Sequence, residues 1–406
     1  MGNPSSTELR PEKLGDSPPN EAHIEHSTTL DAEREFNINE KALIRKIDWR
    51  LLPILGALYA IALIDRVNIS NARVAGMDKE LGLSIGSRYT IALVVFFIPY
   101  FIFELPSNIV LRKVGSANWL AFVAFGWGSF MLGQIIEGLL TQVVGILSWF
   151  LIIDFPDKAQ KKGFLTEEEA EFIKHRIEKD RADAVHDPLT WAVCFKHLQD
   201  LKLWAFALMF MSTTMPAYAF AYFSPTIIAG MGHSGGIANL LSAPPVIFAV
   251  ICAFTFAWLG DRYRVRAPII AAQCIISIVG LMITAYHKKA GVRYFGIFLG
   301  TAGCQGNVPA ILAYQSNNIR LQSKRSVGSA LQIGFGAIGG IIASTTFREV
   351  DAPRYVPGLW TTAGLQFFIL ALVACTTFQF MRRNKQVVAG TATKPIEGLE
   401  GFKYTL

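Results

Sequence analysis

The chain has 406 residues, 52% of them apolar and only 17% charged, with 29 Phe and 34 Gly. Long apolar runs against that background exclude an ordinary soluble domain and point to a polytopic helical membrane protein. The net charge of +7 is not a nucleic-acid signal, because the basic residues sit in short clusters between apolar spans, the pattern of the positive-inside rule.

Residues 1–40 are polar, acidic and rich in Pro, Ser and Glu, without the apolar h-region of a cleavable signal peptide; they read as a disordered cytoplasmic tail. The first span is organised around Asp65 and Arg66. Leu51 to Ile64 is an apolar run of 14 residues, short of the about 20 that a helix needs to cross hydrocarbon. It becomes long enough only by continuing through Asp65, Arg66 and Asn68 to residue 75. The charged pair then lies near the membrane midplane, where each charge costs upward of about 2.5 kcal/mol. Charges persist there when they face a bundle interior or a watery cavity. On a 3.6-residue repeat Tyr59, Arg66 and Arg73 share a stripe, with Asp65, Asn68 and Ala72 about a quarter-turn away. Arg66 is therefore a candidate anion receptor with Tyr59 beside it, and Asp65 its switchable partner. Two other readings stay open: an interfacial segment with the pair at the water boundary, and a structural ion pair locking two helices.

A second span, near 88–111, closes with Glu104, Pro106, Ser107 and Asn108. Glu104 is expected to pair with an inner-face Arg or Lys and latch the bundle, a contact that would also gate a transporter. Trp119–Leu132 and Gly138–Ile153 are two short apolar stretches that read as a cramped helical hairpin. Residues 155–200 are a soluble insertion, in which Thr166 and Glu169 form a capping box that starts a helix. Lys158, Lys161 and Lys162 assign it to the cytoplasm.

Six more spans follow, near 202–229, 239–260, 267–286, 292–314, 327–347 and 359–381. Tyr222 lies with Tyr218, Phe220 and Phe223 between Pro216 and Pro225, as packing or as a substrate wall. Asp261 and Arg262 begin a charged inner turn, a second gate or latch candidate. Asn307 and Gln305, beside Pro309, can donate to an anion or satisfy the carbonyls of a broken helix. Gln332 is the one amide in a glycine-rich span, where close backbone approach is expected. The five cysteines are scattered singly, four within apolar spans, and read as small buried residues with neither metal spacing nor a disulfide framework. His233 and His287 lie at loop ends and the other histidines in the tail or linker, so no catalytic residue is assigned, no metal is expected, and the chain is not read as an enzyme.

Several of these stretches, taken in order, resemble the fungal anion:cation symporter branch of the major facilitator superfamily, which includes allantoate and nicotinate permeases. They are Asp65-Arg66-x-Asn68, Glu104-x-Pro106-Ser107-Asn108, Phe155-Pro156 with Phe164-Leu165-Thr166, Asn317-Asn318, Lys324-Arg325 and Asp351-Ala352-Pro353. The resemblance covers roughly residues 41–384 and implies an all-α polytopic membrane protein of the major facilitator fold: twelve helices in two six-helix halves around a central cavity. This sequence supplies about ten transmembrane helices, four before and six after a cytoplasmic linker. Trp119 onward resembles the family's third helix and Glu137-Gly138-Leu139-Leu140 onward its sixth, with the join near Gln134-Ile135. The fourth and fifth helices are missing, a gap on the order of 60–70 residues if each needs about 20 plus loops. The fourth normally supplies an arginine and a glutamate that no position here matches.

The expected layout is a disordered tail (1–44), an incomplete N-terminal bundle (45–154), a cytoplasmic linker with an amphipathic helix (155–200), a C-terminal six-helix bundle (201–383) and a cytoplasmic tail (384–406). The resemblance implies a secondary active transporter for proton-coupled uptake of a small organic anion, a nicotinate- or allantoate-like carboxylate. Arg66 would hold the carboxylate and Asp65 couple the proton, with Tyr59, Tyr222, Asn307 and Gln332 as wall residues and Glu104, Asp261 and Arg262 at the gates. The driving force is a proton gradient and no cofactor is expected. Its partners are the substrate, protons and the lipid bilayer; no nucleic acid is involved, and a monomer in the plasma membrane with both termini cytoplasmic is expected. Two alternatives are a transport-dead membrane protein with a receptor or partner role, and an exporter of a small acidic metabolite.

Overall fold

A computed structural model describes residues 38–73, 77, 81–82, 85–130, 135–153, 156–161, 163–181, 191–352, 354–391, 395–398 and 402–406. Its regular structure is helical. Before the linker come α1 (Glu40–Ala72), α2 (Arg88–Val114), α3 (Ser116–Phe130) and α4 (Ile135–Leu151). The linker holds α5 (Pro156–Lys161), α6 (Glu167–Arg181) and α7 (Trp191–Leu198). After it come α8 (Leu201–Ala229), α9 (Gly235–Tyr263), α10 (Ala267–Tyr286), α11 (Ala290–Asn318), α12 (Gln322–Thr346) and α13 (Val356–Val388). The ten apolar helices thus divide four and six about the linker, as read from the sequence. Among the described residues seven helices are long and apolar enough to cross a membrane, α1 and α8–α13, and the shorter apolar stretch Leu139–Leu151 lies in α4.

Prolines do not end these helices. Pro53, Pro99, Pro106, Pro216, Pro225, Pro244, Pro245 and Pro309 all lie inside them. In hydrocarbon an unpaired backbone group has no water to turn to, so the helix persists around the one bond a proline removes. Large apolar side chains such as Leu52, Phe122, Phe150, Leu240, Phe254, Trp258 and Phe378 are exposed, a surface that acyl chains rather than water must cover.

The hairpin of α3 and α4 is antiparallel. Gln142 Nε2 donates to Ser129 Oγ at 3.0 Å near its tip, and Trp149 Nε1 to Asn118 Oδ1 at 3.0 Å near its base. A side chain at Gly145 would run against the backbone of Ala124 and Phe125, so glycine there lets the helices touch. Ile54 of α1, Ala117 and Ile152 form the small core that joins α1 to this hairpin. In the second half α10 and α11 approach just as closely, through Gly280, Gly296 and Gly303.

The capping box forms as read: Glu169 N donates to Thr166 Oγ1 at 3.2 Å and Thr166 N to Glu169 Oε2 at 2.9 Å. The helix it starts is held to α1 by Lys46–Glu169 at 3.3 Å and Arg176–Glu40 at 2.5 Å, over a small core of Leu43, Ala159, Leu165 and Ala170. α1 therefore begins at Glu40, inside the stretch expected to be tail, because Leu43 has the linker to pack on. At the other end α13 runs on to Val388, and residues 395–398 and 402–406 fold back onto the bundle instead of leaving it as a tail. Three cysteines are buried as expected, but Cys375 is exposed and Cys252 half-buried.

Candidate functional site

α1 is helical without interruption from Glu40 to Ala72, so the backbone passes through positions 65 and 66 as the span requires. The side chains of Asp65 and Arg66, which carry the anion-receptor and proton-coupling expectations, lie outside the described residues. Ile69, one turn further on, packs against the hydrophobic cluster that closes the two halves on each other. Tyr59 is 64% exposed, on the same side of α1 as the exposed Leu52, Leu55 and Leu63.

Among the hydrophobic clusters of described residues, that closure alone draws on both halves. Tyr89 of α2 meets Phe223 of α8 edge-on at 6.1 Å, and Phe223 stacks on Phe347 at 5.1 Å. Phe97 of α2 meets Tyr218 edge-on at 5.0 Å and lies over Gly340 of α12, where a Cβ would collide with its ring. Thr90 Oγ1 donates to Ser344 O at 3.4 Å, and the Arg73 guanidinium sits 4.1 Å from the centre of the Tyr89 ring. Tyr222, expected as packing or as a substrate wall, is buried here and stacks on Tyr218 at 5.9 Å. Edge-on and offset aromatic pairs contribute about 0.5–1.5 kcal/mol each beyond their area. Several in parallel hold a closure that can still open.

A second polar group lies inside the second half. Asn307 is fully buried and donates through Nδ2 to Cys274 Sγ at 3.2 Å, leaving Oδ1 without a protein partner. α11 is continuous through Pro309, so this amide neither mends a broken helix nor faces open space. Ser277 Oγ pairs with Cys304 Sγ at 2.9 Å, Gln366 Nε2 reaches the same sulfur at 3.7 Å, and Thr213 Oγ1 donates to Cys304 O at 3.2 Å. Both polar atoms of Gln273 and Oε1 of Gln366 lack protein partners. Gln332 is also fully buried; its Nε2 donates to Phe206 O at 3.4 Å and its Oε1 has no protein partner. Sequence reasoning missed Gln273 and Gln366, although Gln273 is a lone amide in an apolar span, the signal that singled out Gln332, and Gln366 shares its span with one other amide, Gln379.

Two of the gate candidates have a described contact with a residue close by in sequence. Glu104 is half-buried and accepts from Asn108 Nδ2 at 3.2 Å, one turn on; the side chains of Arg112 and Lys113 lie outside the described residues. Asp261 is bound by Arg266 across the turn after α9, which Arg264 ends in a left-handed conformation (φ 54°). Arg262 is exposed beside it. No group of three or more metal-ligating side chains occurs among the described residues.

These features define a two-part helical membrane protein whose parts close on each other at the end away from the linker. The family model of the Major Facilitator Superfamily matches residues 119–344, more than half of the chain. The chain belongs to that superfamily; it is a membrane transporter and not an enzyme. It is 26% identical over 451 aligned positions to the MFS transporter prlL of a fungal species (strain NRRL 50135), covering 90% of this chain and 91% of that one. The MFS-type transporter cnsO of Penicillium expansum is 26% identical, with 92% and 90% covered. The high-affinity nicotinic acid transporter of Saccharomyces cerevisiae is 23% identical, with 85% and 79% covered. The solved structure of the fucose:proton symporter FucP of E. coli is similar at 14% identity and a TM-score of 0.49, over 80% of this chain and 98% of that one.

Proposed function

We propose that the chain is a secondary active transporter of the fungal anion:cation symporter branch, taking up a small carboxylate of the nicotinate or allantoate kind together with protons. The observation that carries this reading is α1, a 33-residue helix with an Asp-Arg pair in its sequence one turn before a residue of the closure between the halves. A guanidinium at that depth binds a carboxylate through charge-assisted, bidentate hydrogen bonds. Protonation of Asp65 removes the competing carboxylate and lets the halves rock about a site near the midplane. Of the expected wall residues Tyr222 lies at the aromatic closure and meets substrate once that closure has parted; Asn307 and Gln332 are bonded inside the second half and Tyr59 lies on the exposed side of α1, so the proposed wall rests on Tyr222 among them. Glu104, Asp261 and Arg262 act at the gates. The proton gradient drives the cycle with no cofactor, and the protein works as a monomer in the plasma membrane with both termini in the cytoplasm. The name of the yeast nicotinic acid relative supports this substrate class.

The test is accumulation of radiolabelled nicotinate by cells expressing the chain, in acidic and in neutral medium. Arg66→Ala is expected to abolish uptake and Asp65→Asn to remove its dependence on pH. Uptake unchanged in Arg66→Ala sinks the site assignment.

One observation favours a second reading. The alignment to prlL runs over 451 positions, more than the 406 residues of this chain, so part of that relative has no counterpart here. This supports a first half without the family's fourth and fifth helices, and with it a transport-dead protein acting as a receptor or partner. Normal surface expression without accumulation of nicotinate or allantoate favours that reading; accumulation below that of control cells favours an exporter.

A further inference from the structure

At the end of the second half opposite the aromatic closure, two lysines converge on one buried carboxylate. Lys324, in the first turn of α12, lies 2.9 and 3.0 Å from the two carboxylate oxygens of Glu397. Lys202, in the first turn of α8, donates to Glu397 Oε1 and, at 2.8 Å, to Tyr404 Oη. Asp200 caps α8 by accepting from Lys202 N at 3.0 Å and completes the group, 2.6 Å from Lys324 Nζ and 3.5 Å from Lys202 Nζ. The Glu397 side chain is 2% exposed. Its backbone has a φ of 50°, a left-handed conformation disfavoured for a residue with a Cβ. Such a conformation persists where the surroundings over-determine it, and here it delivers the carboxylate to both lysines.

The residues that follow are tied to the same end. Tyr404 exchanges hydrogen bonds with the Asn384 amide, 2.8 Å each way, and stacks on Phe380 of α13 at 4.1 Å. Thr405 N donates to Asn318 Oδ1 at 2.8 Å and Thr405 O accepts from Asn318 Nδ2 at 3.1 Å, at the end of α11. Leu406 O accepts from Arg266 N at 2.6 Å, at the start of α10. Burial by itself raises the Asp200 carboxyl, but the hydrogen bond from Lys324 and the charge of Lys202 outweigh it and hold the group below its usual range.

We infer that Lys202 and Lys324 form a carboxylate receptor whose ligand is Glu397 of the chain's own segment, and that residues 395–398 and 402–406 act as a strap clamping the ends of α8 and α12 together. Two ammonium groups facing two carboxylates are balanced. Removing the charge of Glu397 leaves the buried Lys324 and the half-buried Lys202 with one acid, a loss that costs most at Lys324. α12 and α8 both meet the first half, α12 through Gly340 beneath Phe97 and α8 through Tyr218 and Phe223. Clamped to α8, α12 moves against α2 only with the whole second half, and the strap makes that half a rigid body. This inference does not depend on the substrate.

The test is hydrogen exchange on the full chain in detergent, followed by mass spectrometry. In the parent, the strap peptide covering Tyr404 and Thr405 and the first turns of α8 and α12 exchange slowly. Glu397→Gln is expected to speed exchange in all three by on the order of tenfold or more, the worth of a hydrogen bond to a charged group. Lys324→Gln should do the same, and the double variant should add little to either, because both remove one interaction. Unchanged strap exchange in Glu397→Gln means that Tyr404 and its neighbours hold by packing alone and overturns the receptor. A freed strap with unchanged exchange in α12 overturns the clamp. Should Glu397→Gln fail to fold, Glu397→Asp keeps the charge and gives up one methylene of reach. Faster exchange in its strap and α12 supports the inference, and exchange as in the parent overturns it.

Discussion

Gly340→Ala tests whether the two halves meet where the packing says they do. In a helix exposed to lipid this change is favourable by about 1 kcal/mol, because alanine is the better helix former. At position 340 the added methyl enters the Phe97 ring at well under 3.0 Å. The ring has little room to yield: it is fully buried, edge-on to Tyr218 at 5.0 Å and to Phe96 at 5.3 Å. Overpacking of this kind costs about 1–3 kcal/mol, so the clash offsets and then exceeds the propensity gain. The cost falls on the contact between α2 and α12 and not on either helix alone. The propensity gain is common to closed and open arrangements, so the closed one should lose the whole clash, about 1–3 kcal/mol or roughly five- to 150-fold in its ratio to open ones. Gly364 on α13 is the control, since a Cβ there meets nothing within 4 Å and gains only the helix propensity. In detergent, Gly364→Ala should melt at or above the parent and Gly340→Ala below it. A cysteine at Ser344, the carbonyl partner of Thr90, should label faster with maleimide in the Gly340→Ala background. A Gly340→Ala protein that melts like Gly364→Ala and labels like the parent refutes the closure.

Two further expectations follow from buried polar groups. Gln273 is buried with neither end of its amide bonded to protein, and an unmade hydrogen bond costs about 1–3 kcal/mol. Gln273→Met, close in volume, should raise the melting temperature; a lower one means the amide is satisfied by water or acts in transport. Asp200, held below its usual 3.8, contributes stability that is complete above that ordinary value and is lost only as pH falls through the lower folded value. Strap exchange, corrected for its intrinsic pH dependence, should therefore be flat from neutral to mildly acidic conditions and rise only below about 3.8. Loss already in mild acid would show that another group governs the end of the bundle.

What was legible in the sequence is what local pattern controls. Both limits of α10, 267 and 286, follow from its apolar run, and α8 starts one residue from where its run suggests. The Thr166 capping box is a four-residue signal and forms as read. α1 starts earlier than expected because Ala42-Leu43-Ile44 is a short apolar patch among charged residues until the linker, more than a hundred positions away, folds under Leu43. The strap was illegible for the same reason. Phe402 and Tyr404 are two aromatics in a short polar stretch, too few for a period, and Glu397 acquires its meaning from Lys202 and Lys324, 195 and 73 positions earlier. Asn307 stands out in the sequence as a polar residue in an apolar span, but its partner, the Cys274 thiol, belongs to another helix.

The chemistry differs between the two ends of the second half, and the difference matches what each end does. A contact that forms and breaks in a transport cycle must be weak enough to release within the differential binding energy of a small ligand. The closure against the first half meets this requirement: the rings of Phe97, Tyr89 and Phe223 and the bare backbone at Gly340 are neutral, and the Arg73 guanidinium keeps its contact with Tyr89 of its own half when they part. The opposite end binds by ion pairs gathered on the buried Glu397 carboxylate, both lysines to Glu397 and Lys324 to Asp200, and these join helices of one half only. Opening such a network leaves desolvated charge behind at several kcal/mol, which suits an element that stays shut. On this ground the aromatic surface is the one expected to part, and the charged strap is expected to keep the second half whole while it does.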